Sequence, residues 1–148
     1  MSKNSNFGLS LKTVEWKNNK VIMIDQTKLP TELVFVEYDD FHQVADAIKT
    51  LVVRGAPAIG VSGAFGLGLA ALQSNATTKD QLLKDLENAR LILNSTRPTA
   101  INLKWGLDKV MQIANKGNNV SEIKNSIIET AKKIADDDII TNMTMGKF

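Results

Sequence analysis

Hydrophobic and polar residues near the start of the chain follow a pattern that predicts a small sheet. Residues 14–16 and 20–25 are rich in β-branched and other apolar side chains, which is typical of short strands. Residues 17–20 lie between them and favour a tight hairpin turn, because asparagine tolerates positive φ. A third strand is predicted over residues 33–37, after a break at residues 28–30.

The spacing of apolar residues becomes helical near Asp40. Asp39 or Asp40 is placed to cap the first helix, and His42 falls in its first turn. We interpret His42 as a solvent-facing or capping residue and assign it no chemistry. The predicted inner stripe of this helix consists of Phe41, Val44, Ile48, Leu51 and Val52.

Pro57 is predicted to open a second helix that runs to about Gln73. Residues 55–78 carry no formal charge, so a membrane span competes with a buried core helix. Small residues recur along this segment, which suits close helix packing in either setting. Polar and small residues dilute its apolar character, and the sequence has only one such segment.

Three more helices are predicted in the rest of the chain. Thr78 and Gln81 have capping-box spacing, and Arg97-Pro98 separates this third helix from the fourth and starts the fourth. The predicted inner faces are Leu82, Leu83, Leu86, Ala89, Ile92 and Leu93 in the third helix, and Leu103, Leu107, Val110, Met111 and Ala114 in the fourth.

The last predicted helix follows Gly117, which is placed as the residue just beyond the fourth helix. Ser121 is predicted to cap it, and its inner face carries Ile123, Ile127, Ala131 and Ile134. The helix can extend past residues 136–138 toward Met145. Those three aspartates are interpreted as a solvated helix face rather than a cation site, because no glycine turn or further ligand spacing accompanies them.

Together these patterns predict an α+β fold, with a three-stranded antiparallel sheet followed by about five helices. The length of 148 residues suits one domain, residues 1–148. Residues 1–38 would form the sheet subregion and residues 39–148 the helical subregion. Switching from period two to period 3.6 near Asp40 is the basis for this division.

Composition narrows the classes of function. A net charge of +2, without a cluster of basic residues, does not favour nucleic-acid binding. The chain has no cysteine and one histidine, so neither a disulfide framework nor a protein-ligated zinc is predicted. Residues 1–12 have no apolar core of signal-peptide length, so we expect a cytoplasmic location.

The segment from Val53 to Gly60 is the first candidate for chemistry. Gly55 allows a tight turn and a close backbone approach to a ligand, and Pro57 suits the first turn of a helix. The N-terminal end of a helix favours an anion, to which Arg54 could add a charged fork. On physical grounds alone, a turn and a helix cap remain the more common interpretation.

Residues 96–99 repeat the arrangement of an arginine before a proline-opened helix. Arg97 and Arg54 could therefore converge on one phosphorylated sugar, because arginine binds phosphate oxygens in a bidentate fashion. The alternative is that Thr96 is only an N-cap and Arg97 only a surface charge.

Several segments of the sequence resemble those of a known protein family. The string VVRGAPAIG followed by VSGAFGLGLAA is similar to the signature of methylthioribose-1-phosphate isomerases. Their superfamily includes the alpha, beta and delta subunits of translation initiation factor two-B and archaeal ribose-1,5-bisphosphate isomerase. Residues 14–16 with 24–26, and residues 96–103, resemble further segments of the family in the same order.

The resemblance implies a substrate-binding role for Arg54, Gly55, Ala56 and Arg97. It implies conversion of 5-methylthioribose 1-phosphate to 5-methylthioribulose 1-phosphate in methionine salvage, with no metal or organic cofactor. The family's catalytic cysteine and aspartate lie in a second, C-terminal Rossmann-like domain. We therefore expect this chain to be an isolated N-terminal domain or the product of a truncated reading frame, with no catalytic residue of its own and no activity alone.

Other functions remain open at this point. A non-catalytic regulatory or assembly module resembling the initiation factor subunits is the main alternative, although the intact RGAPAIG and TRPTA strings favour an isomerase. Pro57-Ala58 speaks against ribose-1,5-bisphosphate isomerase, whereas an isomerase of 5-deoxyribose 1-phosphate cannot be separated on these residues. The expected partners are a phosphorylated sugar and a second copy in a homodimer, with no nucleic acid and no membrane. For the uncharged second helix, the resemblance favours a buried core helix over a membrane span.

Overall fold

Three strands followed by five helices make up the part of the chain that the computed structural model describes. The description covers the backbone of residues 13–53 and 55–145, and side chains in those ranges up to residue 137. The strands are β1 (Val14–Lys17), β2 (Lys20–Ile24) and β3 (Phe35–Tyr38); the helices are α1 (Phe41–Lys49), α2 (Ala56–Gln73), α3 (Lys79–Ser95), α4 (Ile101–Lys116) and α5 (Val120–Met145). The predicted α+β class is confirmed.

The sheet is antiparallel throughout, with strand order β1-β2-β3. Asn18 and Asn19 form the predicted hairpin turn, with φ of 55° and 59°. The third strand begins at Phe35, two residues later than predicted. Phe35 pairs with Ile24, the last residue of β2, so residues before Phe35 have no strand partner in β2. Beyond Ile24 the chain leaves the sheet in a short 3₁₀ turn, which the Asp25 carboxylate caps through the backbone N–H of Thr27.

Helix α1 begins as predicted but ends earlier. Asp40 accepts from the backbone N–H of His42, and Gln43 completes a capping box. The helix stops at Lys49, so the predicted stripe was wrong at Leu51 and Val52. Leu51 has φ of 68°, and the Val52 N–H donates to the Ala47 carbonyl at 3.0 Å, which are features of a Schellman helix end.

Helix α2 is the central element of the fold. Every residue from Ile59 to Ala71 is buried, and α4 and α5 pack most extensively against it. Its length and mean hydropathy of 1.4 would suit a membrane span, but 72% of the segment is buried among the other elements. Its apolar character is therefore accounted for by the protein core, as expected of a buried helix.

Helix α3 begins after Thr78, whose hydroxyl accepts from the Gln81 N–H at 3.2 Å. The reciprocal bond of the predicted capping box is displaced by one residue, since the Gln81 amide oxygen accepts from the N–H of Thr77. The predicted inner faces of α3 and α4 lie against the core, with Leu83, Ile92 and Met111 half-buried at its margin.

The junction between α4 and α5 differs from the prediction in two ways. Gly117 has φ of −72°, so it is not needed for a left-handed turn; a Cβ there would instead overlap Ile123. Asn119, not Ser121, caps α5, because its side-chain oxygen accepts from the Glu122 N–H at 2.9 Å. The predicted inner face of α5 is confirmed at Ile123, Ile127, Ala131 and Ile134, which are all buried.

Candidate functional site

Helices α2 and α4 cross at a pair of glycines near their N-terminal ends. A Cβ on Gly60 would lie 2.8 Å from the Asn102 backbone oxygen, and one on Gly106 would overlap the carbonyl of Gly60. Only residues without a side chain allow backbones to approach this closely. The crossing therefore holds the first turns of α2 and α4 side by side.

The start of α2 is exposed and has no side-chain cap. Gly55 is the N-cap residue with φ of 95°, a conformation that favours glycine, and a Cβ there would meet nothing within 4 Å. Gly55 and Ala56 are both exposed, and Pro57 is in the first turn as predicted. Unpaired N–H groups at such a helix start favour an anion. Arg54 lies outside the described residues.

The segment around Arg97 is arranged differently from the prediction. Pro98 does not open α4; the helix begins at Ile101, and the Ala100 N–H donates to the Arg97 carbonyl at 2.9 Å to close a turn before it. Thr96 is not an N-cap either, because its hydroxyl donates to the Leu93 carbonyl and completes the end of α3. Arg97 is half-buried in the intervening turn.

A pocket of about 300 Å³ opens between the two helix starts and the side of α5. Pro57 from the first turn of α2 and Asn102 from the first turn of α4 both line it. The other lining residues are Gly60, Val61, Trp105, Ile134 and Asp137. Sequence analysis did not assign Asn102, Trp105 or Asp137 to a site, because only the packing of α4 and α5 onto α2 brings them there.

The predicted site residues lie at different distances along the chain from the pocket. Gly55 and Ala56 lie at the uncapped start of α2, next to the pocket, while Arg97 precedes α4 by one turn of chain. Arg97 is not among the pocket's described lining residues. Convergence of Arg54 and Arg97 on one ligand stays a prediction.

The charges on α3 and α4 near this region are largely paired. Arg90 donates to Glu87 through two nitrogens, and this hydrogen bonding lowers the pKa of Glu87 and raises the pKa of Arg90. Lys104 pairs with Asp108 at 2.9 Å, and the Lys109 ammonium lies 5.7 Å from the centroid of the Trp105 ring. Arg90 and Lys104 are thus each engaged with a carboxylate of their own helix, and Lys109 lies over an aromatic ring.

A larger cavity, of about 560 Å³, lies at the opposite end of α2. Its polar groups are largely engaged in holding the fold together. Gln73 accepts from the Phe41 N–H at 2.8 Å, and the Ser74 hydroxyl donates to Asp85 at 2.5 Å. Among the described side chains, no group of three or more histidines or carboxylates is arranged to hold a metal ion.

Comparison with known proteins assigns the chain to a family. Residues 52–148, well over half of the chain, match the initiation factor 2 subunit family. The chain belongs to this family. The match includes α2, α4 and the pocket between them, so the candidate site lies within the region that defines the family.

Members of the family with related sequences have different names. The methylthioribose-1-phosphate isomerase of Geobacter metallireducens is 40% identical over 141 residues, which cover 94% of this chain and 41% of that protein. The crystal structure of 5-methylthioribose 1-phosphate isomerase from Pyrococcus horikoshii matches with a TM-score of 0.83 and 42% identity, covering 93% of this chain and 40% of that one.

Subunit delta of the translation initiation factor eIF-2B from A. fulgidus is equally similar in structure. It matches with a TM-score of 0.83 and 42% identity over 88% of this chain and 38% of that one. The chain thus spans about two fifths of the length of the isomerases that it matches, 41% of the Geobacter protein. The family resemblance inferred from the sequence is confirmed, and the similarity to isomerases extends over nearly the whole chain.

Proposed function

We propose that this chain is the substrate-binding N-terminal domain of an aldose–ketose isomerase that converts 5-methylthioribose 1-phosphate to 5-methylthioribulose 1-phosphate. The main observation in its favour is the uncapped start of α2 next to that of α4, with a pocket between them. The isomerase relatives, which match over 94% of the chain in the Geobacter protein, add the substrate class. We also propose that the protein acts in the cytoplasm.

In this proposal the substrate's phosphate binds at the start of α2. Gly55 and Ala56 are exposed there, and their backbone can approach the phosphate without obstruction by a side chain. Arg54 precedes them in the sequence and Arg97 precedes α4, so each can contribute a bidentate contact to phosphate oxygens. The sugar would then extend into the pocket between the helices.

In this proposal, the catalytic groups for the isomerisation come from another domain. The C1 oxygen of the substrate carries phosphate, so the ring cannot open as a free hemiacetal does. Ring opening requires acid assistance at the ring oxygen, and isomerisation requires transfer of hydrogen from C2 to C1. The family resemblance assigns these roles to a cysteine and an aspartate of a second domain, and this chain has no cysteine. It binds and orients the sugar but does not turn it over alone.

A direct test combines binding and turnover with the purified chain. Calorimetric titration with 5-methylthioribose 1-phosphate should show saturable binding, and an assay for the ketose should show no product above the blank. Clear turnover would contradict the assignment of the catalytic groups to another domain. Absence of binding by the folded chain would contradict the proposed function itself.

The two arginines provide the second part of this test. A charge-assisted hydrogen bond contributes about 1.5–3 kcal/mol, so Arg54→Ala and Arg97→Ala should each weaken binding roughly ten- to a hundredfold. Lys116→Ala is the matched control, because Lys116 is an exposed cation at the far end of α4. Equal losses in all three variants would indicate a general charge effect rather than a phosphate site.

A regulatory or assembly module is the second candidate function. Its support is the TM-score of 0.83 to subunit delta of the initiation factor, which equals that to the Pyrococcus isomerase. The same titration separates the two candidates. A module of this kind would show no preference for 5-methylthioribose 1-phosphate over inorganic phosphate.

A further inference from the structure

The pocket between α2, α4 and α5 has a wall that phosphate binding does not explain. Pro57, Val61, Trp105 and Ile134 give it a largely apolar lining, while Asn102 and Asp137 contribute polar atoms. Its volume of about 300 Å³ is much larger than one phosphate group needs. A site for an anion alone would require neither the indole ring nor the branched aliphatic side chains.

We propose that this pocket receives the sugar ring and the C5 thioether group of the substrate, and that Trp105 is the residue that selects the thioether. This inference rests on the proposed function, since it concerns the other end of the same ligand. It distinguishes a methylthiopentose phosphate from a 5-deoxypentose phosphate, which the sequence motifs do not separate.

The exposure of Trp105 is the first argument. Its relative exposure is 54%, although indole is among the largest apolar side chains, and it lies on the rim of a pocket. A thioether sulfur makes favourable contacts with aromatic rings at about 5 Å. The Lys109 ammonium lies 5.7 Å from the ring centroid, within the range of a cation–π contact.

The placement of the apolar wall relative to the helix start is the second argument. Val61 follows Ala56 by five residues on α2, which corresponds to a rise of about 7.5 Å along the helix. A pentose that carries phosphate on C1 and a thioether on C5 is a ligand of comparable length. With its phosphate at the start of α2, its C5 substituent would reach the wall formed by Val61 and Trp105.

The charge of the pocket sets the direction of the ligand. Asp137 presents a carboxylate to the pocket, so a phosphate is disfavoured beside it and favoured at the positive ends of the helices. A carboxylate and an amide suit the hydroxyl groups of a sugar, because Asp137 accepts hydrogen bonds and Asn102 both donates and accepts them. The arrangement therefore orients the phosphate outward and the sugar inward.

The consequence is a measurable preference among sugar phosphates. Loss of the sulfur removes its aromatic contact and part of the buried apolar surface, so 5-deoxyribose 1-phosphate should bind roughly tenfold more weakly than 5-methylthioribose 1-phosphate. Ribose 1-phosphate should bind no better than the deoxy compound, because its C5 hydroxyl would face the apolar wall.

The experiment is a calorimetric titration of the full 148-residue chain with these three compounds and with inorganic phosphate. Trp105→Ala should reduce the ratio of affinities for the methylthio and deoxy compounds to about one, whereas Trp105→Phe should keep part of it. Leu91→Ala is the matched control, because Leu91 is an apolar residue of α3 with 55% exposure and is not among the residues that line the pocket. It should leave the ratio unchanged.

Tryptophan emission gives a readout that does not depend on a variant. The chain has two tryptophans; Trp16 is half-buried with its ring centroid 5.6 Å from that of Phe65, and Trp105 is exposed. Saturating 5-methylthioribose 1-phosphate should quench or blue-shift the emission of the exposed indole, and inorganic phosphate should not. An unchanged spectrum would overturn the role of Trp105.

The outcomes separate this inference from the function on which it rests. If the sugar phosphates bind equally well, or if Trp105→Ala keeps the preference for the thioether, the inference fails and the proposed phosphate site stands. If the folded chain binds none of the sugar phosphates, the proposed function fails and the inference fails with it.

Discussion

Replacing Gly106 by alanine tests the helix crossing on which the candidate site depends. The added Cβ would overlap the backbone carbonyl group of Gly60, where the two helices are packed against each other. Neither the Cβ nor the carbonyl can move aside by a side-chain rotation. Helices α2 and α4 must therefore separate locally, and this separation would also displace Asn102 from the start of α2.

The expected magnitude follows from two opposing effects. Overpacking of a well-packed interior costs about 1–3 kcal/mol, and an alanine in place of glycine inside a helix gains about 1 kcal/mol. Because the clash is with backbone, the upper end of the overpacking cost applies, and the free energy of unfolding of Gly106→Ala should fall by about 2 kcal/mol. Gly63→Ala is the matched control, because its Cβ would meet the Cδ1 methyl of Leu103 at 2.6 Å, a side-chain tip that can rotate.

Urea unfolding followed by circular dichroism measures both variants under the same conditions. We expect Gly63→Ala to lie well above Gly106→Ala in stability, since the two share the gain in helix propensity and differ in what the methyl group meets. Binding of 5-methylthioribose 1-phosphate should weaken more in Gly106→Ala. A Gly106→Ala variant as stable as the unmodified chain would refute the close backbone crossing.

Two further predictions concern the start of α1 and self-association. Asp40→Ala should destabilise the protein by about 1 kcal/mol through loss of the helix cap, and Asp39→Ala is the control. Burial alone would raise the pKa of Asp40, but the hydrogen bonds from His42 outweigh it and lower that pKa. Its contribution should therefore be present above about pH 3.9 and be lost as the pH falls through the lower folded-state pKa, which acid titration of the two variants can check. We also expect the chain to form dimers through exposed apolar residues such as Ile101, which is 81% exposed; analytical ultracentrifugation showing a monomer at every concentration would contradict this.

Elements with a strong local pattern were predictable from the sequence. The paired asparagines of the hairpin, the uncharged segment of α2 and the inner face of α5 each carry a signal that needs no knowledge of distant residues. The hairpin requires positive φ at Asn18 and Asn19, which asparagine tolerates. Apolar residues at helical spacing in α5 had to face a core, whatever the neighbouring helices.

Helix boundaries were less predictable, because a usual C-terminal residue was replaced at one boundary and two candidate N-cap residues were present at another. Leu51 occupies a left-handed position at which glycine is usual, so the end of α1 had no recognisable marker. Asn119 and Ser121 are both good capping residues, and only the bond to the Glu122 N–H shows which one caps α5. Pro98 lies in a turn rather than in the first turn of α4, and the Thr96 hydroxyl that could have capped a helix there donates to the Leu93 carbonyl of α3 instead.

The candidate site was predictable only where it is local. The position of the glycine, alanine and proline at the start of α2 was predictable, because a helix start is formed by consecutive residues, and an anion site there stays a prediction. Asn102 and Asp137 could not, since they are brought to Pro57 by the packing of α4 and α5 onto α2. No spacing in the sequence relates them.

The glycines of α2 connect the fold to the site. Gly60 is buried and admits the backbone of α4 at Asn102, and this contact is what sets the two helix starts side by side. A larger residue would push α4 away and open the pocket that Pro57 and Asn102 line. The small residues that make α2 resemble a membrane helix thus have a structural reason in the packing of the core. By bringing two uncapped helix starts together, the same close packing gives the proposed phosphate site its position.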